Sequence, residues 1–145
     1  MAQQQLGEQE KSLLHAAAEA RLRAYVPYSG FPVGAALLDQ DGQVHYGCNV
    51  ENGAYGPTNC AERTALFRAI ADGTPKGAFH AIAVVGDTEG PITPCGVCRQ
   101  VMAELCPPDM PVIMGNLKGD WHIATVSELL PGAFVLDTGK SGKGK

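Results

Sequence analysis

No apolar run in this chain of 145 residues approaches the roughly 20 consecutive residues that carry a helix across a membrane. The first residues, MAQQQLGEQEK, lack a basic region followed by an apolar stretch. No secretory leader is therefore expected, and the cytoplasm is the expected compartment. Basic residues are in deficit: 11 Lys and Arg stand against 15 Asp and Glu, for a net charge of −4. That balance argues against a surface dedicated to nucleic acid and against a basic groove holding a single strand. No internal repeat and no internal linker divides the chain. A single domain over residues 1–145 is expected, long enough to bury a full core. The tail TGKSGKGK (138–145) has no apolar anchor and is expected to fray. Also missing is an even set of cysteines: the five are Cys48, Cys60, Cys95, Cys98 and Cys106. An odd number in a chain expected in the cytoplasm fits metal binding or catalysis better than a disulfide scaffold.

What is present reads as alternating elements. Residues 9–24 have apolar positions at helical spacing, with Pro27 as the stop. Residues 33–50 read as two strands around an Asp41-Gly42 turn. A helix follows over 61–73, closing on Gly73, then a buried strand over 78–87 rich in Ala, Ile and Val. Residues 95–106 form a further helix, stopped by Pro107 and Pro108. MPVIMGN (110–116) and WHIATV (121–126) read as short strands and SELLPG (127–132) as a helical turn. This order predicts an α/β layered domain with one central sheet, part of it parallel.

Two helix starts carry cysteine. Cys60 precedes one predicted helix, and Cys95 and Cys98 open the next, after Pro94. Cysteines three apart in a first helical turn point their sulfurs the same way, and a helix N-terminus favours thiolate over thiol. If both helices begin on one edge of the sheet, three thiolates converge. Three protein ligands and one open position is the pattern of a catalytic zinc site. A closed, purely structural site would need a fourth ligand from Cys48, Cys106 or one of His15, His45, His80 and His122. None of these has ligand spacing to the other cysteines, and Cys48 and Cys106 read as small buried hydrophobes. Glu62, two residues after Cys60, stands where a carboxylate can take a proton from a metal-activated water. Without the cysteines it would read only as a helix-start acid favoured by the dipole.

The stretches YSGFPVGAAL, GCNVENGAY, CAERTALF, PCGVCRQVMAEL and SELLPGAF stand in that order. Together they resemble the small homotetrameric zinc-dependent cytidine deaminases, from about Ala24 to Phe134. The core signature is Cys60-Ala61-Glu62 with Pro94-Cys95-Gly96-Val97-Cys98, the three-cysteine form of the zinc nucleobase deaminase pattern. The resemblance implies a three-layer α/β/α domain with a mixed five-stranded central sheet. It implies one Zn²⁺ per subunit, held by Cys60, Cys95 and Cys98. It also implies hydrolysis of cytidine and 2′-deoxycytidine to uridine and 2′-deoxyuridine, with Glu62 carrying the proton to N3 and then to the departing amine.

Further roles rest on the same resemblance. Arg63 matches an arginine that hydrogen-bonds to ligand sulfurs, and so would offset the charge that three thiolates place on zinc. Asn49 and Glu51, in the segment Asn49-Val50-Glu51, match the residues that hold the ribose 3′-hydroxyl. Phe31 matches a phenylalanine packed on the base. Tyr55 lies in a segment that reaches a site across a subunit boundary, Ala61 offers backbone groups to the base, and Gln100 stands near the site. The expected partners are a small nucleoside and three further copies of the chain, with sites completed by neighbouring subunits, and neither a nucleic-acid polymer nor a membrane. The loop Gly56-Pro57-Thr58-Asn59 departs from the family's usual forms but leaves the ligands untouched. Three other readings compete: a deaminase of another cytosine-bearing compound, such as a nucleoside antibiotic; a polynucleotide-editing deaminase, against which the acidic balance and the lack of a basic groove speak; and a zinc-stabilised interaction module without turnover. The ribose-binding pair speaks against the antibiotic deaminase and Glu62 against the interaction module.

Overall fold

A computed structural model describes residues 6–136. The tail expected to fray lies outside the described residues.

Helix α1 spans Glu8–Ala20, with Glu8 and Glu10 in the first turn, where the helix dipole favours acid. Its buried residues, Leu13, Ala17 and Ala20, recur at intervals of four and three, the spacing of one helical face. The helix was expected to run to residue 24, but it tightens into a 3-10 turn at Arg21–Arg23 and Ala24 is already extended. The cause is tertiary. The Tyr25 amide donates to the Asn49 carbonyl at 3.0 Å, and the Glu51 amide donates to the Tyr25 carbonyl at 2.9 Å. Tyr25 must therefore be extended, and the chain leaves the helix before Pro27 can end it.

Strands β1 (Val33–Asp39) and β2 (Val44–Cys48) form the expected antiparallel hairpin. Gly42 supplies the left-handed turn position at φ 88°. Asp39 closes the hairpin from inside. Its Oδ1 accepts from the Asp41 and Gln43 amides at 2.9 Å each, and its Oδ2 lies 2.9 Å from His45 Nε2. His45 is thus a satisfied core histidine, as the sequence suggested. Helix α2 follows at Ala61–Ala71, strand β3 at Phe79–Gly86 and helix α3 at Gly96–Leu105. Strands β4 (Pro111–Asn116) and β5 (Trp121–Thr125) and the short helix α4 (Val126–Leu129) complete the described fold.

The five strands lie in the order β2-β1-β3-β4-β5. Only β3 and β4 run parallel; the other neighbours are antiparallel. Alternation along the strands sorts side chains to two faces. Ala35, Leu37, Ile82, Val84, Val112 and Met114 pack with α2 and α3 on one side. Ala36, Leu38, Ala81, Ala83, Val85 and Ile113 pack with α1 on the other. The result is the expected three-layer α/β/α domain with a mixed five-stranded sheet. No helix among the described residues is long and apolar enough to cross a membrane.

Two glycines set how closely the layers meet. A Cβ at Gly34 would fall 2.0 Å from the Ala17 carbonyl oxygen of α1. A Cβ at Gly47, in β2, would fall 2.3 Å from the Ala61 carbonyl oxygen and 2.5 Å from the Ala65 nitrogen. The first turn of α2 therefore lies directly on β2, and the residue that opens that turn is Cys60.

Candidate active site

Cys60 is the N-cap of α2 and Cys95 the N-cap of α3, so each sulfur stands where the helix presents unpaired backbone donors. The Cys95 Sγ accepts from the Cys98 amide at 3.5 Å, which folds the Cys95–Cys98 turn so that both sulfurs face one point. Register explains why the two helix starts share an edge. Gly34 pairs with Cys48, Val33 with Gly86, and Gly86 with Asn116. The chain leaves the sheet at this edge before entering each helix.

The Cys60 and Cys95 sulfurs are 3.7 Å apart, and the sulfurs of Cys60, Cys95 and Cys98 all lie within 4.8 Å of one another. All three are free thiols. Tetrahedral zinc with Zn–S bonds of about 2.3 Å holds its sulfurs about 3.8 Å apart, so the donor set fits that ion in type and spacing. Among the described residues, no His, Cys, Asp or Glu joins the three as a fourth member. Cys106 is buried and Cys48 half-buried, each outside the cluster, so the closed four-ligand alternative has no fourth donor here. The three sulfurs differ in setting: Cys95 is exposed, Cys60 half-buried and Cys98 fully buried.

Electrostatics at the cluster are uneven. The Cys98 thiol hydrogen-bonds to Cys60 and, with Arg63, holds the Cys60 thiol well below the usual range despite burial. The same hydrogen bond and burial push the Cys98 thiol up. Arg63 Nη2 donates to Cys60 Sγ at 3.2 Å. Glu62 is only 4% exposed on the first turn of α2. Burial pushes its carboxyl up to about 7, with the Cys60 charge adding to the effect.

Glu51 and Tyr55 line a cavity of about 290 Å³ together with Tyr28, Ser29, Asn52 and Thr58. Glu51 Oε1 accepts from the Tyr28 and Ser29 amides at 3.0 Å each, and Oε2 accepts from the Ser29 hydroxyl. Those bonds, the Ser29 hydroxyl first, hold the Glu51 carboxyl below the usual range. Tyr55 is 75% exposed and adopts φ 65°, a left-handed conformation uncommon outside glycine. Phe31 and Asn49 are coupled to each other: Asn49 Nδ2 donates to the Phe31 carbonyl and Oδ1 accepts from the Val33 amide, both at 2.9 Å. Phe31 faces Gly86 at the sheet edge.

That cavity's lining includes neither the thiols nor Glu62. The two regions are joined through the backbone, since Val50 exchanges hydrogen bonds with Asn59 at 3.0 and 2.9 Å. Asn49, Val50 and Glu51 thereby run beside the residue that leads into Cys60. Ala61 is fully buried, and as the first residue of α2 its N–H has no helical acceptor. Gln100 Nε2 donates to the Phe134 carbonyl at 3.1 Å. Sequence reasoning passed over Gly47, Ser29 and Arg99. Of these only Gly47 carried a signal, a glycine inside a strand, which marks close backbone approach.

A layered α/β domain with three thiols at two helix starts and a buried glutamate beside them defines a metal-dependent enzyme centre. Comparison with known proteins gives that class a family. Residues 7–114 match the model of the cytidine and deoxycytidylate deaminase zinc-binding region. The chain is 60% identical to the cytidine deaminase of Sporosarcina psychrophila, over 86% of this chain and 90% of that protein. It is 61% identical to that of Halalkalibacterium halodurans, over 86% and 93%. A crystal structure of cytidine deaminase from Burkholderia pseudomallei superposes with a TM-score of 0.85 at 55% identity, covering 89% of this chain and all of that one. The chain belongs to the cytidine and deoxycytidylate deaminase family.

Proposed function

We propose that this chain hydrolyses cytidine and 2′-deoxycytidine to uridine and 2′-deoxyuridine, a step of pyrimidine salvage, with one zinc ion held by Cys60, Cys95 and Cys98. The observation that carries the reading is the cluster itself: three convergent thiols, no fourth protein donor among the described residues, and a buried carboxylate on the same turn as Cys60. Bound zinc supplies Lewis acidity that makes water a nucleophile near neutral pH.

The chain's own residues supply the rest. Glu62 accepts the proton from the attacking water and delivers it to N3 as oxygen bonds to C4. It then carries a second proton to the exocyclic nitrogen, the C4–N bond breaks and ammonia leaves. One water is consumed and one ammonia released. Arg63, donating to the Cys60 sulfur, draws negative charge from the ligand set and preserves the ion's acidity. Asn49 and Glu51 bind the ribose. The Ser29 and Tyr28 donors to Glu51 support this, because they keep the carboxylate charged and fixed in direction. Phe31 packs on the base, with Val50, Tyr55 and Ala61 in contact with substrate and Gln100 in a supporting position.

The same reading makes the protein a cytoplasmic homotetramer whose sites are completed by neighbouring subunits. Exposed apolar side chains support assembly, among them Tyr25, Tyr28, Phe67, Val97 and Phe134, which are 46–66% exposed. Loss of cytidine absorbance, followed for the parent and Glu62→Gln with zinc measured in both, tests the chemistry. The expected result is full zinc and a rate at least about 100-fold lower in the variant. A variant that turns over like the parent sinks the proton-shuttle role, and a parent that binds no zinc sinks the whole reading.

A further inference from the structure

Arg99 follows Cys98 directly and has no part in the chemistry described above. Its Nε donates to the carbonyl of Pro94 at 2.8 Å and its Nη1 to the carbonyl of Leu129 at 3.0 Å. The first carbonyl belongs to the residue immediately before Cys95, and the second to the last residue of α4. Pro94 is fully buried. Its carbonyl precedes helix α3 and so lies outside that helix's own ladder, and a buried carbonyl needs a donor from elsewhere. Arg99 provides it.

The other end of this tie is firmly seated. The Val126 amide donates to the Met110 carbonyl at 3.1 Å, and the Ser127 amide to the Pro108 carbonyl at 2.9 Å. Thr125 and Glu128 close a reciprocal capping box on α4. Helix α4 is thus pinned to the segment between α3 and β4, and Arg99 carries that fixed position forward to Pro94. Beside it, Gln100 holds the Phe134 carbonyl, a second link from α3 to the chain beyond α4.

We propose that Arg99 is a positioning residue. It sets the Cys95–Cys98 turn against α4 so that its two sulfurs meet Cys60 at the separation zinc requires. The proposal rests on the zinc reading above. A planar guanidinium is suited to the task because two of its N–H groups reach two separate carbonyls at once, which a single ammonium on a flexible stem does not reproduce.

The test compares the zinc-loaded parent with Arg99→Ala and Arg99→Lys by titration against a competing chelator, together with kcat and KM on cytidine and melting of the metal-free proteins. Both variants should hold zinc about tenfold or more weakly than the parent. Their kcat should fall while KM stays near the parent's, as expected when binding is left intact. Arg99→Lys keeps charge and stem, so its metal-free melting temperature should stay near the parent's, and it decides the matter if Arg99→Ala does not fold. Zinc affinity equal to the parent's in the lysine variant overturns the proposal, as does a loss matched by an equal loss of metal-free stability. A parent without zinc affinity overturns the zinc reading and this proposal together.

Discussion

Substituting Gly47 with alanine tests whether the layer contact beneath α2 governs the chemistry above it. The added Cβ would stand 2.3 Å from the Ala61 carbonyl oxygen, 2.5 Å from the Ala65 nitrogen and 2.9 Å from the Ala65 Cβ. Ordinary contact begins at 3.4 Å, so the first turn of α2 must retreat by about 1.1 Å, the difference between 3.4 and 2.3. Two of the three obstructing atoms are backbone, and the obstruction cannot be relieved by a rotamer change. Overpacking of this kind costs about 1–3 kcal/mol of stability. The larger effect falls on catalysis. The turn that moves carries Cys60 and Glu62, and a misplacement of about 1 Å at a reacting group lowers rates on the order of 100-fold. Urea denaturation, zinc content and kcat/KM on cytidine measure the three consequences. Gly90→Ala serves as control, because a Cβ there meets nothing within 4 Å. If Gly47→Ala matched the parent in stability and in kcat/KM, the claim that α2 rests on β2 through this glycine would be refuted.

Two further substitutions follow from the geometry. Arg63→Ala removes the 3.2 Å hydrogen bond to Cys60 Sγ and should weaken zinc binding about tenfold and slow turnover, with the circular dichroism spectrum unchanged. Chelator competition checks it, and parental affinity counts against it. Asp39→Ala removes the acceptor of the Asp41, Gln43 and His45 donors and should cost about 3 kcal/mol at pH 7 by urea denaturation, at about 1 kcal/mol per bond. The sign with pH is set by Asp39, whose carboxyl the His45 hydrogen bond holds below its ordinary 3.8. A depressed folded value means the stabilisation is fully present above 3.8 and is lost as pH falls through the folded value. The gap between parent and variant should therefore narrow below pH 3.8, and a gap that widens there contradicts the assignment.

Much of this fold is legible because local signals agree with tertiary demands. Asp41-Gly42 marks the hairpin, and the nearly unbroken apolar runs of β1 and β3 mark strands covered on both faces. The cysteines were legible for a different reason: thiols at two helix starts, with a glutamate two residues after the first, have a narrow range of uses. What stayed hidden depended on partners distant in sequence. The early end of α1 is imposed by Tyr25 pairing with Val50, which no property of residues 20–24 announces. Asn49 is a strand-end polar residue in the sequence, and only the structure shows its amide holding Phe31 and Val33 in place. Arg99 reads as an ordinary helix charge, because its acceptors are backbone carbonyls that a sequence does not distinguish. Glu51 reads as a loop acid, and only the structure shows Tyr28 and Ser29 fixing the direction of its carboxylate.

The sulfurs of Cys60 and Cys95 meet although 35 positions separate them in the chain, and β3 lies between. An ion bridging them therefore closes a loop that encloses the sheet's central strand. Binding that the folded arrangement alone can offer would favour that arrangement by mass action. The three sulfurs come together only when that strand lies between its neighbours, so an ion held there would recognise the folded arrangement alone. A misthreaded chain would forfeit both its fastening and its chemistry at once.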